Sequence, residues 1–152
     1  MKSGLWRDWF KRWPLMLAGY IRNDHGEETL ALCRRSLDAG NSLIIFPEGT
    51  RTLPGQAPRF QRGAAQLAVR LEQALTPVLI ESTPSNLHKG GRWYLAPAHQ
   101  VHMRVRPLAG LDVQPFIQRR PGQPALAARD LGDELQRIFI QELSGASDRT
   151  RD

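Results

Sequence analysis

The sequence lacks several features that would place it in a specialised class of protein. It contains one cysteine, Cys33, among 152 residues, which excludes an intramolecular disulfide. It contains no run of about 18 consecutive apolar residues, so it includes no stretch typical of a transmembrane helix. Hydrophobic residues make up 41% and charged residues 24% of the chain. These proportions predict a globular protein, and we expect residues 1–152 to form a single domain.

Acidic residues are also few compared with basic ones. Aspartate and glutamate together number 15 against 21 lysines and arginines, which gives a formal net charge of +6. Such a charge favours partners that carry phosphate, including anionic lipid headgroups and nucleic acid. The basic residues are scattered and no nucleic-acid-binding motif occurs, so we predict no nucleic acid as a partner.

The spacing of apolar residues predicts an alternation of helices and strands. Turn residues separate three helical patterns, over residues 27–39, 63–73 and 125–143. Buried strands are predicted over residues 42–46 and 77–80, and a half-exposed strand over residues 102–106. This order predicts an α/β fold with a mixed, largely parallel sheet flanked by helices. The polar residues 144–152 are predicted to be a disordered tail.

A tryptophan-rich segment precedes these elements. Trp6, Trp9 and Trp13 recur at helical spacing within residues 5–17, beside lysine and arginine. Indole rings and cations together are typical of a helix that lies at a membrane surface. An aromatic helix face that packs into its own domain has the same pattern, and the sequence favours neither interpretation.

The clearest motif, Phe46-Pro47-Glu48-Gly49-Thr50-Arg51, directly follows the first predicted strand. The guanidinium of Arg51 can hold a phosphate through two charge-assisted hydrogen bonds. Gly49 allows the backbone to approach a ligand closely, and the Thr50 hydroxyl can donate to an oxyanion. Glu48 would repel a phosphate, so we expect it to orient Arg51 or to accept a hydrogen bond from a substrate hydroxyl.

These six residues resemble the third sequence block of the lysophosphatidic acid acyltransferases and their glycerolipid acyltransferase relatives. Residues 18–24, 60–64 and 76–80 are similar to further blocks of the family. In the second block His25 stands where the family often has arginine, so Arg22 either supplies the positive charge or is a solvated loop residue. In residues 60–64, Arg62 supplies the cation at a helix start, where backbone amides also favour phosphate.

The resemblance implies a function in phospholipid biosynthesis. It implies transfer of a fatty acyl group from an acyl-CoA or acyl carrier protein thioester to a lysophospholipid, 1-acylglycerol-3-phosphate. It implies no cofactor and no metal, and a peripheral location on the cytoplasmic face of an anionic membrane. The implied substrate-binding residues are Glu48, Gly49, Thr50, Arg51, Arg62 and Arg22.

The catalytic pair of the family is absent from this sequence. The family's reaction uses a histidine as general base and an aspartate five positions later that orients it. We therefore assign no catalytic residue, and we expect Met1 to be an internal start, with the pair in a preceding portion of the protein. A noncatalytic remnant that binds lipid or a partner protein is the alternative. The four histidines, His25, His88, His99 and His102, are followed at that spacing by Leu30, Trp93, Arg104 and Pro107.

Overall fold

The computed structural model describes residues 13, 17–21, 26–48, 58–83 and 100–148. The chain divides into two compact units, Met1–Ile45 and Phe46–Asp152. The single domain expected over residues 1–152 stays a prediction. Most of the tryptophan-rich segment lies outside the described residues, and its described members, Trp13 and Leu17, are exposed.

The first unit contains helix α1 (Gly26–Asp38), close to its predicted bounds. Glu27 and Glu28 lie in its first turn, where they stabilise the positive end of the helix dipole. Gly40 ends the helix as predicted, in the left-handed conformation with φ of 82°. Its N–H donates to the Leu37 carbonyl at 2.8 Å, in a C-terminal motif that glycine adopts without strain.

Cys33 lies on the buried side of α1. Its side chain is 4% exposed, and it is a free thiol. Burial raises the pKa of the Cys33 thiol, because the thiolate loses the hydration that stabilises its charge. The neutral thiol therefore packs as a small apolar group.

The strand predicted over residues 42–46 is not present. Residues 41–46 belong to no helix or strand, and Ile44 and Phe46 are 85% and 73% exposed. An apolar run becomes a strand only where a neighbouring strand satisfies its backbone hydrogen bonds. Neither described strand pairs with this run, and the prediction was therefore wrong.

The second unit contains further helices and strands. They are α2 (Gly63–Leu71), β1 (Val78–Thr83), β2 (His102–Pro107), α3 (Gln114–Arg119) and α4 (Pro124–Asp148). Helix α3 was not predicted; its first amide, the Gln114 N–H, donates to Asp112 Oδ1 at 3.0 Å. Helix α4 extends further than predicted, so residues 144–148 of the expected tail are helical, while residues 149–152 lie outside the described residues.

The core of this unit forms where α2 and α3 pack against α4. Small side chains dominate the contact between α2 and α4, which lets the two backbones approach closely. A Cβ added at Gly132 of α4 would lie 3.6 Å from the Ala65 Cβ of α2. The core cluster comprises Ala65, Ala68, Val69, Val113, Phe116, Ala127, Ala128 and Leu131.

The sheet differs from the predicted largely parallel one, because β1 and β2 pair antiparallel. Apolar patterns predict that a strand is covered but carry no information on the direction of its neighbour. Leu79 on one face is 4% exposed, whereas Ile80 and its partner Val105 on the other face are 52% and 61% exposed. The mixture of helices and strands predicted for an α/β chain is confirmed.

No helix in the described part of the chain combines the length and the apolar composition needed to cross a bilayer.

Glu72 provides a test of how α2 ends. The N–H of Gln73 donates to the Ala68 carbonyl, just as the N–H of Asn41 donates to the Ser36 carbonyl at the end of α1. The left-handed residue of this motif is Gly40 in α1, but in α2 it is Glu72, with φ of 55°. We expect Glu72→Gly to raise the free energy of unfolding by about 0.5–1 kcal/mol, because glycine adopts this conformation without steric cost. Gln66→Gly, inside the same helix, should lower it by about 1 kcal/mol. Urea denaturation of both variants measures the two effects. A loss of stability in Glu72→Gly would show that the left-handed conformation of Glu72 does not destabilise the chain.

The Cys33 thiol provides a second test. A raised pKa means that this group contributes stability below the pKa of the unfolded thiol and loses that contribution as the pH rises through the folded value. We therefore expect iodoacetamide at pH 8 to alkylate the native chain slower by on the order of tenfold or more than the denatured chain. Mass spectrometry of timed samples gives both rates, and equal rates would show that Cys33 is accessible.

Candidate functional site

Two of the six predicted binding residues lie among the described residues. Glu48 is half-buried in a turn that follows Phe46, and Arg62 is exposed directly before α2. The predicted roles of Gly49, Thr50, Arg51 and Arg22 fall on positions outside the described residues.

A backbone hydrogen bond brings the two described positions together. The Gln61 N–H donates to the Pro47 carbonyl oxygen at 2.7 Å. Pro47 directly precedes Glu48 and Gln61 directly precedes Arg62, so the chain returns after residue 58 to the place where the motif began. The fold therefore brings the start of residues 46–51 next to residues 60–64, the two sequence blocks for which we predicted phosphate contacts.

The start of α2 is electrically positive. The Gln66 N–H donates to the Arg62 carbonyl, which makes Arg62 the N-cap residue, yet its side chain makes no capping hydrogen bond. No acidic residue lies in the first turn of α2. A cation at the positive end of a helix dipole is unfavourable unless an anion lies nearby. Helix start and guanidinium together are suited to bind a phosphate group.

Two residues of α4, Gln136 and Phe139, contact the returning chain. The Phe60 N–H donates to Oε1 of Gln136 at 3.3 Å, although the residues are 76 positions apart. The Phe60 ring meets the Phe139 ring edge-on, with 5.1 Å between centroids. The helical pattern over residues 125–143 predicted this helix but could not identify the partners of its side chains.

Of the four histidines the structure describes His102 alone, and it is exposed on β2. Within the described residues no three His, Cys, Asp or Glu side chains are grouped closely enough to hold a metal.

The comparison with protein families identifies the chain. Residues 1–81 match the family model described as Acyltransferase. The matched region is more than half of the 152 residues, and it includes the whole motif at residues 46–51. The chain belongs to the Acyltransferase family. The resemblance drawn from the motif is confirmed.

Two curated relatives of the chain carry the name of a specific acyltransferase. A 1-acyl-sn-glycerol-3-phosphate acyltransferase of Chlamydomonas reinhardtii is 29% identical over 108 residues, which are 66% of this chain and 32% of the relative. The chloroplastic 1-acyl-sn-glycerol-3-phosphate acyltransferase of Arabidopsis thaliana is 28% identical over 88 residues, which are 55% of this chain and 25% of the relative. The matched part thus spans about a third or less of these relatives. No solved structure matches the chain significantly.

A substitution of Arg62 should have opposite effects on phosphate binding and on stability. We expect Arg62→Ala to weaken binding of glycerol 3-phosphate about three- to tenfold, because a charge-assisted contact at an exposed site is lost. The same change should raise the free energy of unfolding by about 0.3–1 kcal/mol, because a cation leaves the positive end of α2. Calorimetric titration and urea denaturation measure the two quantities.

Arg59→Ala is the matched control, since it removes one exposed arginine three positions earlier, away from the helix start. This variant should change neither the affinity for glycerol 3-phosphate nor the free energy of unfolding appreciably. Equal losses of affinity in both variants would show that net charge, rather than the position of Arg62, attracts the phosphate.

Proposed function

We propose that this chain binds the acceptor in acyl transfer from an acyl-CoA or acyl carrier protein thioester to a lysophospholipid, 1-acylglycerol-3-phosphate. The observation that carries the proposal is the family match, which includes residues 46–51 and thus the whole candidate phosphate-binding motif. Both curated relatives are named for a phosphate-bearing acceptor, which supports the choice of substrate.

Each predicted binding residue has a distinct role in this proposal. The Arg51 guanidinium holds two phosphate oxygens, while Gly49 and Thr50 present a backbone N–H and a hydroxyl to the same group. Arg62 adds a second cation at the start of α2, and Arg22 supplies a further one. Glu48 lies in the turn at the start of the motif. It orients a guanidinium or accepts a hydrogen bond from the glycerol hydroxyl.

The reaction itself exchanges a thioester for an ester. The acceptor hydroxyl oxygen attacks the thioester carbonyl carbon, the carbon–sulfur bond breaks, and the thiol leaves with the proton that the hydroxyl gives up. Binding the acceptor phosphate fixes the hydroxyl relative to the thioester, which lowers the entropic part of the barrier. A general base must take the hydroxyl proton, and the resemblance implies the histidine-aspartate pair for that role.

The substrate also determines where the protein must work. An acceptor with an acyl chain resides in a bilayer, so the chain has to meet a membrane surface to reach the phosphate. The net charge of +6 attracts anionic headgroups and supports a peripheral position on the cytoplasmic face.

A second function uses the same phosphate site without catalysis. The alternative is a noncatalytic remnant of the family that binds lipid or a partner protein. The two functions differ in a single readout, because a remnant binds 1-acylglycerol-3-phosphate and forms no ester from an acyl thioester.

Arg51 carries the decisive test. We expect Arg51→Ala to weaken binding to vesicles that contain 1-acylglycerol-3-phosphate by about tenfold or more, since hydrogen bonds to charged groups contribute about 1.5–3 kcal/mol. Binding to vesicles that contain monoacylglycerol in its place should not change, because that lipid has no phosphate. Cosedimentation at several lipid concentrations gives both affinities.

Arg129→Ala serves as the control, because it removes an exposed arginine of α4 that makes only a long ion pair, of 4.0 Å, with the exposed Asp133. This variant should bind like the unmodified chain. If Arg51→Ala kept full affinity and selectivity for the phosphate-bearing lipid, the assigned role of Arg51 would be wrong.

A further inference from the structure

The sheet formed by β1 and β2 has one covered face and one open face. On the covered face Leu79 is 4% exposed, and Arg106 pairs with Glu142 of α4 at 2.6 Å. Residues directly opposite each other in an antiparallel pair share a face, so the register assigns every second residue of each strand to the open face. The open face consists of Val78, Ile80 and Ser82 of β1 with Met103, Val105 and Pro107 of β2.

The open face carries no charged side chain, and its large apolar residues are accessible. The exposed fractions of these four residues lie between 40% for Val78 and 63% for Met103. Ile80 lies directly opposite Val105, and Val78 and Met103 are diagonal neighbours of this pair. Side chains at such positions lie next to each other on a sheet. The four therefore form one apolar patch, unlike the single exposed apolar residues that are common on soluble proteins.

The size of this patch decides what kind of partner it can hold. Each strand has six residues. Two adjacent strands of this length cover about 20 Å by about 10 Å, on the order of 200 Å². A stable protein interface buries about 800 Å² on each partner. The open face is therefore too small by itself to hold a second copy of the chain or another folded protein. Apolar side chains enter a bilayer without needing a matching partner surface.

The charge of the chain favours the same partner. Two copies of a chain with a net charge of +6 repel each other, whereas an anionic lipid surface attracts each copy. The open face itself is uncharged, so its side chains can enter the apolar boundary of a bilayer without carrying a charge out of water. Stable peripheral binding takes two contributions, and here they are apolar insertion and electrostatic attraction.

We propose that the open face of β1 and β2 inserts into the surface of an anionic bilayer. Ile80 and Val105 form the centre of the inserted patch, and Val78 and Met103 extend it along the two strands. The choice of a lipid partner rests on the proposed function, because the acceptor of that reaction carries an acyl chain. The proposal adds the surface with which the chain meets the membrane.

Threonine substitutions on the open face test the proposal. Threonine keeps the β-branched shape and the strand propensity of isoleucine and valine but introduces a hydroxyl group. We expect the double variant Ile80→Thr/Val105→Thr to bind vesicles of phosphatidylglycerol and phosphatidylcholine about tenfold more weakly, because less apolar surface leaves water. Cosedimentation of the full chain gives the affinities. These vesicles contain no acceptor lipid, so the bilayer alone is responsible for binding.

The matched control makes the same change outside the sheet. Ile140 of α4 is 37% exposed, and Ile140→Thr should bind these vesicles like the unmodified chain. Ile80→Thr alone should bind them about threefold more weakly, since one apolar contact is lost. Equal affinities of Ile80→Thr and Ile140→Thr would overturn the proposal.

A fluorescent label reports insertion directly and does not depend on a loss of binding. Met103→Cys in a Cys33→Ala background places a nitrobenzoxadiazole label on the open face. We expect its emission maximum to shift to shorter wavelength when the anionic vesicles are added, because the label leaves water. The same label at Ile140→Cys should show no shift. A chain that cosediments with the vesicles without a shift at position 103 would contradict insertion of this face.

Sedimentation velocity without lipid identifies a different occupant. A monomer is expected, because the patch is small and like charges repel. A dimer that dissociates in Ile80→Thr/Val105→Thr would show that a second copy covers the open face, and would overturn the proposal.

Glycerol 3-phosphate separates this proposal from the proposed function, because its binding in solution needs no bilayer. If the chain bound glycerol 3-phosphate and the threonine variants kept full affinity for the vesicles, the role of the open face alone would fail. If the open face inserted as expected and the chain bound no glycerol 3-phosphate, the proposed function alone would fail.

Discussion

The close packing of α2 on α4 is the contact on which the rest of the second unit depends. It uses alanine and glycine rather than large side chains, so that Ala65 lies at ordinary van der Waals distance from the position of a Cβ on Gly132. Small residues gain little from burial individually, but they allow many backbone atoms to approach at once. This contact fixes where α2 starts, and hence where Arg62 stands. It also fixes the face of α4 that Phe60 meets.

The start of α2 shows a local conflict between stability and binding. A serine, threonine or aspartate would cap the helix, whereas Arg62 makes no side-chain cap and adds a positive charge to a positive dipole end. Conflicts of this kind are expected where a residue serves a ligand rather than the fold. The conflict disappears when a phosphate lies at the helix start, since both the guanidinium and the backbone amides then face an anion. Local electrostatics therefore support the same ligand as the motif at residues 46–51.

Much of the local structure could be predicted from the sequence. The bounds of α1 follow from its apolar spacing and from Gly40, and the apolar spacing over residues 125–143 predicted α4. Helix α3 was missed because it has six residues, too few for a periodic pattern, and Asp112 followed by Pro115 was its only signal. The motif at residues 46–51 was sufficient to recognise the family, because its six residues match one sequence block of that family.

The sequence by itself determined helices α1, α2 and α4, the motif at residues 46–51 and the family, since these depend on residues close together along the chain. Only the tertiary structure decided that β1 and β2 are antiparallel, that residues 42–46 form no strand, and that Gln136 meets Phe60. Each of these depends on a partner distant in sequence. Apolarity along the chain shows that a residue favours burial, but the neighbour that buries it is chosen by the packing of the whole unit.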